Sequence, residues 1–434
     1  MTDCVAIAPE LPFKQQVVEF AVHLSRSLPT PSDTVAAREF VASFENQLAE
    51  EEEVSDEVKK TIVKSLVQKV GELRGGLEAT KESEAESSHL LLQYLLSSTF
   101  ETSSPEYETL SKNVLEGVKK GGEIAANANR MTRVEAACRI LNNTYNYLPP
   151  TSTLRPTTLL ALLSLLSISS DLSTLSLTPS SLITALSQWT LSSAEKVAFL
   201  TSASKIYQAA GDLEKALETY ILALQYSTDK EIVETAVVLA IAVESRFDLN
   251  DVTRVEGVQG RFEGKTGELV ALFTETDELE AVGKGKTWLE ANGSWIEGFA
   301  VAQFSAESIL RKLRLIALAT LCARTTSKQL QYSQVASALE IEESDVEAWV
   351  IDAIRANLLT ARISQPLSLI KIQTVSSLAT RRFGSSEWQL LEKRLGEWKK
   401  MVADARVVVE EAEGLASAGQ GGRRAGRRED EVAA

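Results

Sequence analysis

Apolar residues recur at intervals of three and four from Phe13 onward, the spacing that lines one face of a helix. Phe13, Val17, Ala21 and Leu24 form one stripe, Val35, Phe40, Val41, Phe44 and Leu48 a second, and Val58, Ile62, Leu66, Val70 and Leu73 a third. Polar breaks separate them: Leu28 to Asp33, with its two prolines, and the acidic run Glu50 to Glu53, read as a solvated linker. Helical spacing continues over His89 to Leu96 and Tyr107 to Val118, and Gly121-Gly122 predicts a break. Val134, Ala137, Cys138, Leu141 and Tyr145 predict a helix ended by Pro149-Pro150, and a Leu/Ser-rich helix follows from about Pro156 to Ile168. Pro179, after Thr178, occupies a first-turn position of the next.

A repeat-like signal follows. Ala203, Tyr207, Gly211, Asp212, Lys215, Ala216, Tyr220, Ala223 and Leu224 read like one tetratricopeptide-type helix pair. Gly211 permits a sharp turn and Ala216 a close approach between the helices. Looser neighbours from about Met131 to Val243 predict a helical solenoid of low repeat fidelity, an architecture that presents extended surfaces to other proteins. Trp189, just before the capping-box sequence Ser192-Ser193-Ala194-Glu195, is expected to anchor one helix pair to the next.

From Ile309 to Gln373 the period changes. Ile309, Leu310, Leu313, Ile316, Ala317 and Leu321 predict a first helix, Tyr332, Val335, Ala336 and Leu339 a short second, and Val346, Trp349, Val350, Ala353, Ile354 and Asn357 a third, with Ser344 and Glu347 as a candidate capping box. Leu359, Ala361 and Ile363 then alternate with Thr360, Arg362 and Ser364; Gln365-Pro366 turns, and Leu369 to Gln373 returns as a second strand. Three helices followed by a two-stranded hairpin is the winged-helix order. Beyond it, Trp388, Leu391, Leu395, Trp398, Val402, Ala405, Val409 and Ala412 alternate spacings of three and four, a seam that one helix cannot bury alone. It is expected to join partner helices rather than fold back on the hairpin.

Charge decides what the winged helix reads. The 434 residues carry 60 acidic and 45 basic side chains, a net charge of -15. The third helix opens with Glu340, Glu342, Glu343, Asp345 and Glu347 and holds Arg355 alone as a cation, the wrong sign for phosphate, so DNA is not an expected partner. The tail from Gly419 to Ala434 places Arg423, Arg424, Arg427 and Arg428 among glycines; with Glu429 to Glu431 following, it reads as a disordered solubilising end rather than an RNA contact.

Candidate chemistry changes little. Cys4, Cys138 and Cys322 lack paired spacing, which suits a reducing compartment, and no signal peptide or membrane span is expected. Gly264-Lys265-Thr266 invites a phosphate-loop reading, but a Walker loop needs glycine where Gln259 stands, and Gly285-Lys286-Thr287 has Glu280 there. His23 and His89 lie on separate helical segments without a neighbouring cysteine. No catalytic residue, metal ligand or cofactor is therefore expected.

A helical solenoid, a winged helix with an acidic third helix and a long terminal helix resemble the PCI module shared by the proteasome lid, the COP9 signalosome and eukaryotic translation initiation factor 3. The stretches Arg311 to Ala319, Val346 to Ala356, Leu358-Leu359 and Trp388 to Trp398, with Gln188 to Ser192 and Ala210 to Leu213, are similar to the subunit M family of that factor; the signalosome subunit 7 family is the nearest alternative. The resemblance implies a mainly α protein: a right-handed helical-repeat solenoid followed by a winged-helix (PCI) module and a long C-terminal helix. The expected divisions are helical repeats over 1-125, a solenoid over 126-305 whose part from about 205 joins the PCI module, a winged helix over 306-376, a bundle helix over 377-418 and the tail over 419-434.

It also implies a non-catalytic cytoplasmic scaffold that supports 43S preinitiation complex assembly and mRNA recruitment. Its partners would be other PCI and MPN subunits of the factor and, through them, the 40S ribosomal subunit, with neither DNA nor membrane among them. The alternative is a signalosome or proteasome-lid scaffold acting in protein turnover. The implied contacts are a winged-helix edge at Leu359, Arg362, Ile363, Leu369, Ile370, Lys371 and Ile372, and a terminal-helix seam at Trp388, Leu391, Leu395, Trp398, Val402 and Val409.

Overall fold

The computed structural model describes residues 11–28, 34–49, 55–78, 82–255, 257–258, 260–299, 301, 303–325, 327–376 and 385–429. The chain divides into two compact units, one of Met1–Val270 with Val282–Ile316, the other of Ala271–Ala281 with Ala317–Ala434. The breaks expected at 29–33 and at Glu50 to Glu53, and the residue Cys4, lie outside the described residues.

The first unit is a succession of helices: α1 (Phe13–Ser25), α2 (Thr34–Ala49), α3 (Asp56–Glu72), α4 (Glu82–Thr99), α5 (Pro105–Asn127), α6 (Met131–Tyr147), α7 (Leu154–Ile168), α8 (Pro179–Gln188), α9 (Ser193–Ala209), α10 (Leu213–Leu224), α11 (Lys230–Ala242) and the short α12 (Asn250–Thr253). Chain neighbours pack together, α5 against α6 and α7, and α9 against α10, as in a helical solenoid. The first and third stripes face inward, with Val17, Leu24, Ile62, Leu66 and Val70 all buried; of the second, Phe44 and Leu48 are buried while Val35 is exposed.

Gly121-Gly122 does not break the chain. Helix α5 runs through both, because here glycine serves close packing. A Cβ on Gly121 would collide with the Arg74 carbonyl oxygen, and one on Gly122 would lie 2.8 Å from the Leu165 side chain. The same Arg74–Gly76 turn gathers the two histidines that looked unrelated in sequence. His89 Nε2 lies 2.7 Å from the Gly75 carbonyl oxygen and His23 Nε2 2.9 Å from that of Gly76. Both rings are buried, and Nδ1 of each has no hydrogen-bond partner. Burial lowers both pKa values, that of His89 to about 4.

The tetratricopeptide-like pair is α9 and α10. Gly211 turns between them with φ 84°, Asp212 caps α10 by accepting the Lys215 N–H at 3.2 Å, and the Ser204 hydroxyl donates to the Ala216 carbonyl at 2.8 Å. The Ser192/Glu195 capping box heads α9. Trp189 is buried and meets the Phe199 ring edge-on at a centroid distance of 5.1 Å, which makes it the packing anchor between α8 and α9.

Between Phe247 and Gly267 the glycines Gly257, Gly260 and Gly264 all take positive φ, and Thr266 is buried with its hydroxyl on the Glu234 carboxylate at 2.9 Å. Helix α13 (Gly264–Thr274) follows this loop, then α14 (Glu278–Glu297) and α15 (Ala306–Arg324). Lys312 on α15 is buried, with its ammonium donating to the Ala240, Val243 and Arg246 carbonyl oxygens, so that a cation closes the C-terminal end of α11. Burial pushes its pKa down to about 7 against the opposing pull of Glu244.

In the second unit the C-terminal half of α15 leads to β1 (Gln329–Gln331), α16 (Tyr332–Leu339), α17 (Val346–Arg355), β2 (Leu359–Ser364), β3 (Leu369–Val375) and α18 (Ser385–Glu429). This is a winged helix with one strand more than spacing predicts. A Gln-Leu-Gln triplet is too short to carry a period, but it pairs with β3 through Leu330 opposite Ile370. The Ser344/Glu347 capping box is absent: a 3-10 turn over Glu343–Asp345 precedes α17, and Glu347 is engaged elsewhere. It accepts from the Tyr332 hydroxyl at 3.1 Å and the Gln365 amide at 2.8 Å, tying α17 to α16 and to the turn of the wing. Helix α18 is continuous to Glu429, so the backbone over 419–429 is helical where a disordered tail was expected; Ala425 and four arginines, all strong helix formers, lie there among the glycines. Residues 430–434 lie outside the described residues.

Candidate partner-binding surfaces

The wing sheet has the order β1-β3-β2 and is antiparallel throughout. Strand β3 is therefore central, and the expectation of a free strand edge over Leu369 to Gln373 is corrected over Leu369–Lys371, whose backbone is flanked by β1 on one side and β2 on the other. Ile370 and Ile372 are core residues for the same reason, and Leu359 is buried with them.

The outer strands are the three-residue β1 and the longer β2, and among the described residues each pairs with β3 alone. A register irregularity at Thr360/Ala361 bends the first half of β2, leaving Ala361–Ser364 as the regular part of its edge. Ile363 is half-buried there, while Arg362 is exposed directly across from Lys371, so that two cations stand side by side on one face of the sheet. A cross-strand pair of like charge is unfavourable on its own and favours an anionic neighbour.

Helix α18 carries the second surface. Its 45 residues correspond to a length of about 68 Å at 1.5 Å per residue. Trp388 is 61% exposed and Trp398 63%, and Leu391, Leu395, Val402 and Val409 are exposed as well. Arg394 ties the helix to the winged helix, donating to the Ala323 carbonyl oxygen at the end of α15.

Groups suited to covalent chemistry are sparse in these surfaces. Cys138 and Cys322 are free thiols that burial pushes up to about 11 and about 12, which keeps both protonated and unreactive at neutral pH. No group of three or more metal-ligating side chains occurs among the described residues, and no described helix is long and apolar enough to cross a membrane. What sequence reasoning missed is β1, and with it the central place of β3; the signal was a single apolar residue, Leu330, between two glutamines.

Comparison with known proteins agrees with this architecture. Residues 300–373 match the PCI domain family, a range that spans all of α15 together with β1, α16, α17, β2 and most of β3. Over 281 residues the chain is 34% identical to eukaryotic translation initiation factor 3 subunit M of Neosartorya fischeri, a match that covers 61% of this chain and 58% of that protein. The subunit M proteins of Aspergillus fumigatus and Aspergillus terreus are 33% identical over 279 residues and 32% over 289, covering 61% and 63% of this chain and 58% and 61% of theirs. The match thus spans about three-fifths of the length of these curated relatives. The chain thus carries a stretch that matches the PCI domain family and, over about three-fifths of its length, is similar to subunit M of eukaryotic translation initiation factor 3.

Proposed function

We propose that the chain is a non-catalytic scaffold subunit of initiation factor 3, acting in the cytoplasm to support 43S preinitiation complex assembly and mRNA recruitment to the 40S subunit. The observation that carries this reading is the uncovered seam of α18 in a chain whose matched relatives are named as subunits of that factor. A stripe of this length has no function as a solvent-facing surface, whereas helices from neighbouring subunits would bury it in a bundle. The β2 edge offers a second contact, by strand addition with the winged helix of a neighbouring PCI subunit. The divisions that serve this role are the solenoid, the winged helix over 306-376 and the α18 helix beyond it.

The test is to tag the chain in its own cells, purify it gently and identify the co-purifying proteins by mass spectrometry. Initiation factor subunits recovered with small-ribosomal proteins support the reading. Signalosome or proteasome-lid subunits in their place move the function to protein turnover, and recovery of the chain alone overturns the scaffold role.

A further inference from the structure

Within the second unit a cleft of about 340 Å³ opens between the last turn of α15, the far end of β3 and α18. That volume lies at the lower end of ordinary ligand pockets. One wall is a strand flank. Strand β1 pairs only with Leu369–Lys371, and the Ile372 N–H reaches the Lys328 carbonyl at 2.9 Å. Past that bond, β3 continues to Val375 with no described strand beside it on this side.

The other walls are cationic in a chain of net charge -15. Lys328, Lys393 and Arg394 line the cleft against one carboxylate, Glu397. A fourth cation, Arg324, is already held by Asp277 and Glu278. Among the described residues the ammonium groups of Lys328 and Lys393 have no carboxylate partner, and Arg394 spends its bond on a neutral carbonyl. Unneutralised cations grouped beside an open strand flank supply two complementary features at once: main-chain hydrogen bonding for an extended backbone, and positive charge for its side chains.

We propose that this cleft binds an extended acidic segment of a partner protein, with its backbone running along β3 past the end of β1 and its carboxylates between Lys328 and Lys393. A peptide fits better than RNA, because the lining holds no aromatic ring on which a base could stack. The site is distinct from the β2 edge and from the α18 seam, and its chemistry is the same whichever assembly the chain joins.

The full chain is titrated into a fluorescein-labelled peptide of alternating glutamate and threonine, into its lysine counterpart and into labelled oligouridine, with fluorescence anisotropy as the readout. The expected result is saturable, salt-sensitive binding of the acidic peptide only. Binding should weaken at least tenfold in the Lys328→Glu/Lys393→Glu variant. It should survive in Lys328→Arg/Lys393→Arg and in Lys60→Glu/Lys205→Glu, which makes the same charge change at two exposed lysines outside the cleft. Circular dichroism checks each fold, and if the charge reversal does not fold, Lys328→Gln/Lys393→Gln replaces it with the same expectation. Absence of saturable binding, equal weakening in the Lys60/Lys205 control, or tighter binding of oligouridine or the lysine peptide overturns the assignment.

Discussion

The Tyr332 hydroxyl donates to the Glu347 carboxylate at 3.1 Å, joining the first residue of α16 to the first turn of α17. The other Glu347 oxygen receives the Gln365 amide from the turn between β2 and β3. One side chain thus holds three parts of the winged helix in register. Desolvation raises the pKa of Tyr332, and this bond and the charge of the carboxylate raise it further.

Replacement of that carboxylate should loosen the wing. Glu347→Ala is expected to cost about 1 to 2 kcal/mol, and Tyr332→Phe less, since the bonds are partly exposed. A double-mutant cycle by urea unfolding checks whether the two losses overlap; strict additivity would mean the pair is not coupled.

The histidines at the Gly75-Gly76 turn should make the first unit acid-sensitive. An unfolded histidine has a pKa near 6.5, while His89 in the fold is lowered to about 4. Between those values the unfolded chain binds a proton that the folded chain refuses, so the unfolding free energy rises with pH across the window. The stabilisation is complete above pH 6.5 and is lost as pH falls toward 4, a loss of about 3 kcal/mol for His89. His23 acts in the same direction, with burial and Arg26 lowering its pKa and Gly76 and Glu84 opposing. Urea midpoints measured from pH 7 to pH 4 should show a shallower slope for His89→Gln than for the unsubstituted chain.

Gly121→Ala tests close packing against helix propensity. On propensity alone the change gains about 1 kcal/mol in a helix interior. The new Cβ collides with the Arg74 carbonyl oxygen, which is backbone and cannot rotate away. Net destabilisation of about 2 kcal/mol is expected, and a stabilised variant by thermal melting would show that α5 and the Arg74–Gly76 turn are not in contact.

Trp398→Asp separates folding from assembly. The ring is mostly exposed in the isolated chain, so the melting temperature should hardly move. Co-purification of partners should fall at least tenfold if the ring is buried in a bundle, the size expected for losing a central aromatic anchor. Undiminished recovery would remove α18 from the interface.

Most of the helices were legible because their apolar stripes are long and regular; Val58 to Val70 and Trp388 to Val409 needed no tertiary information to be found. The failures have physical causes. Gly121-Gly122 carries the composition of a break, but the site selected glycine for lack of a Cβ, and nothing local distinguishes the two uses. Strand β1 is defined by pairing with residues some forty positions away rather than by a pattern of its own, so the central place of β3 could not be read. His23 and His89 are 66 positions apart, and the loop carbonyls that unite them become visible only once α1, α4 and the intervening turn are assembled.

The bare seam on α18 also bears on how much of this protein a cell can hold. Two tryptophans and a row of branched aliphatic side chains displayed in water are the features by which chaperones and proteases recognise an unfinished product. A copy synthesised in excess of the helices that cover it stays displayed, and a copy that is covered is hidden. If partner helices cover the seam as proposed, the abundance of the chain would be set by the supply of those partners rather than by its own rate of synthesis, and stoichiometry would be a property written into one helix face.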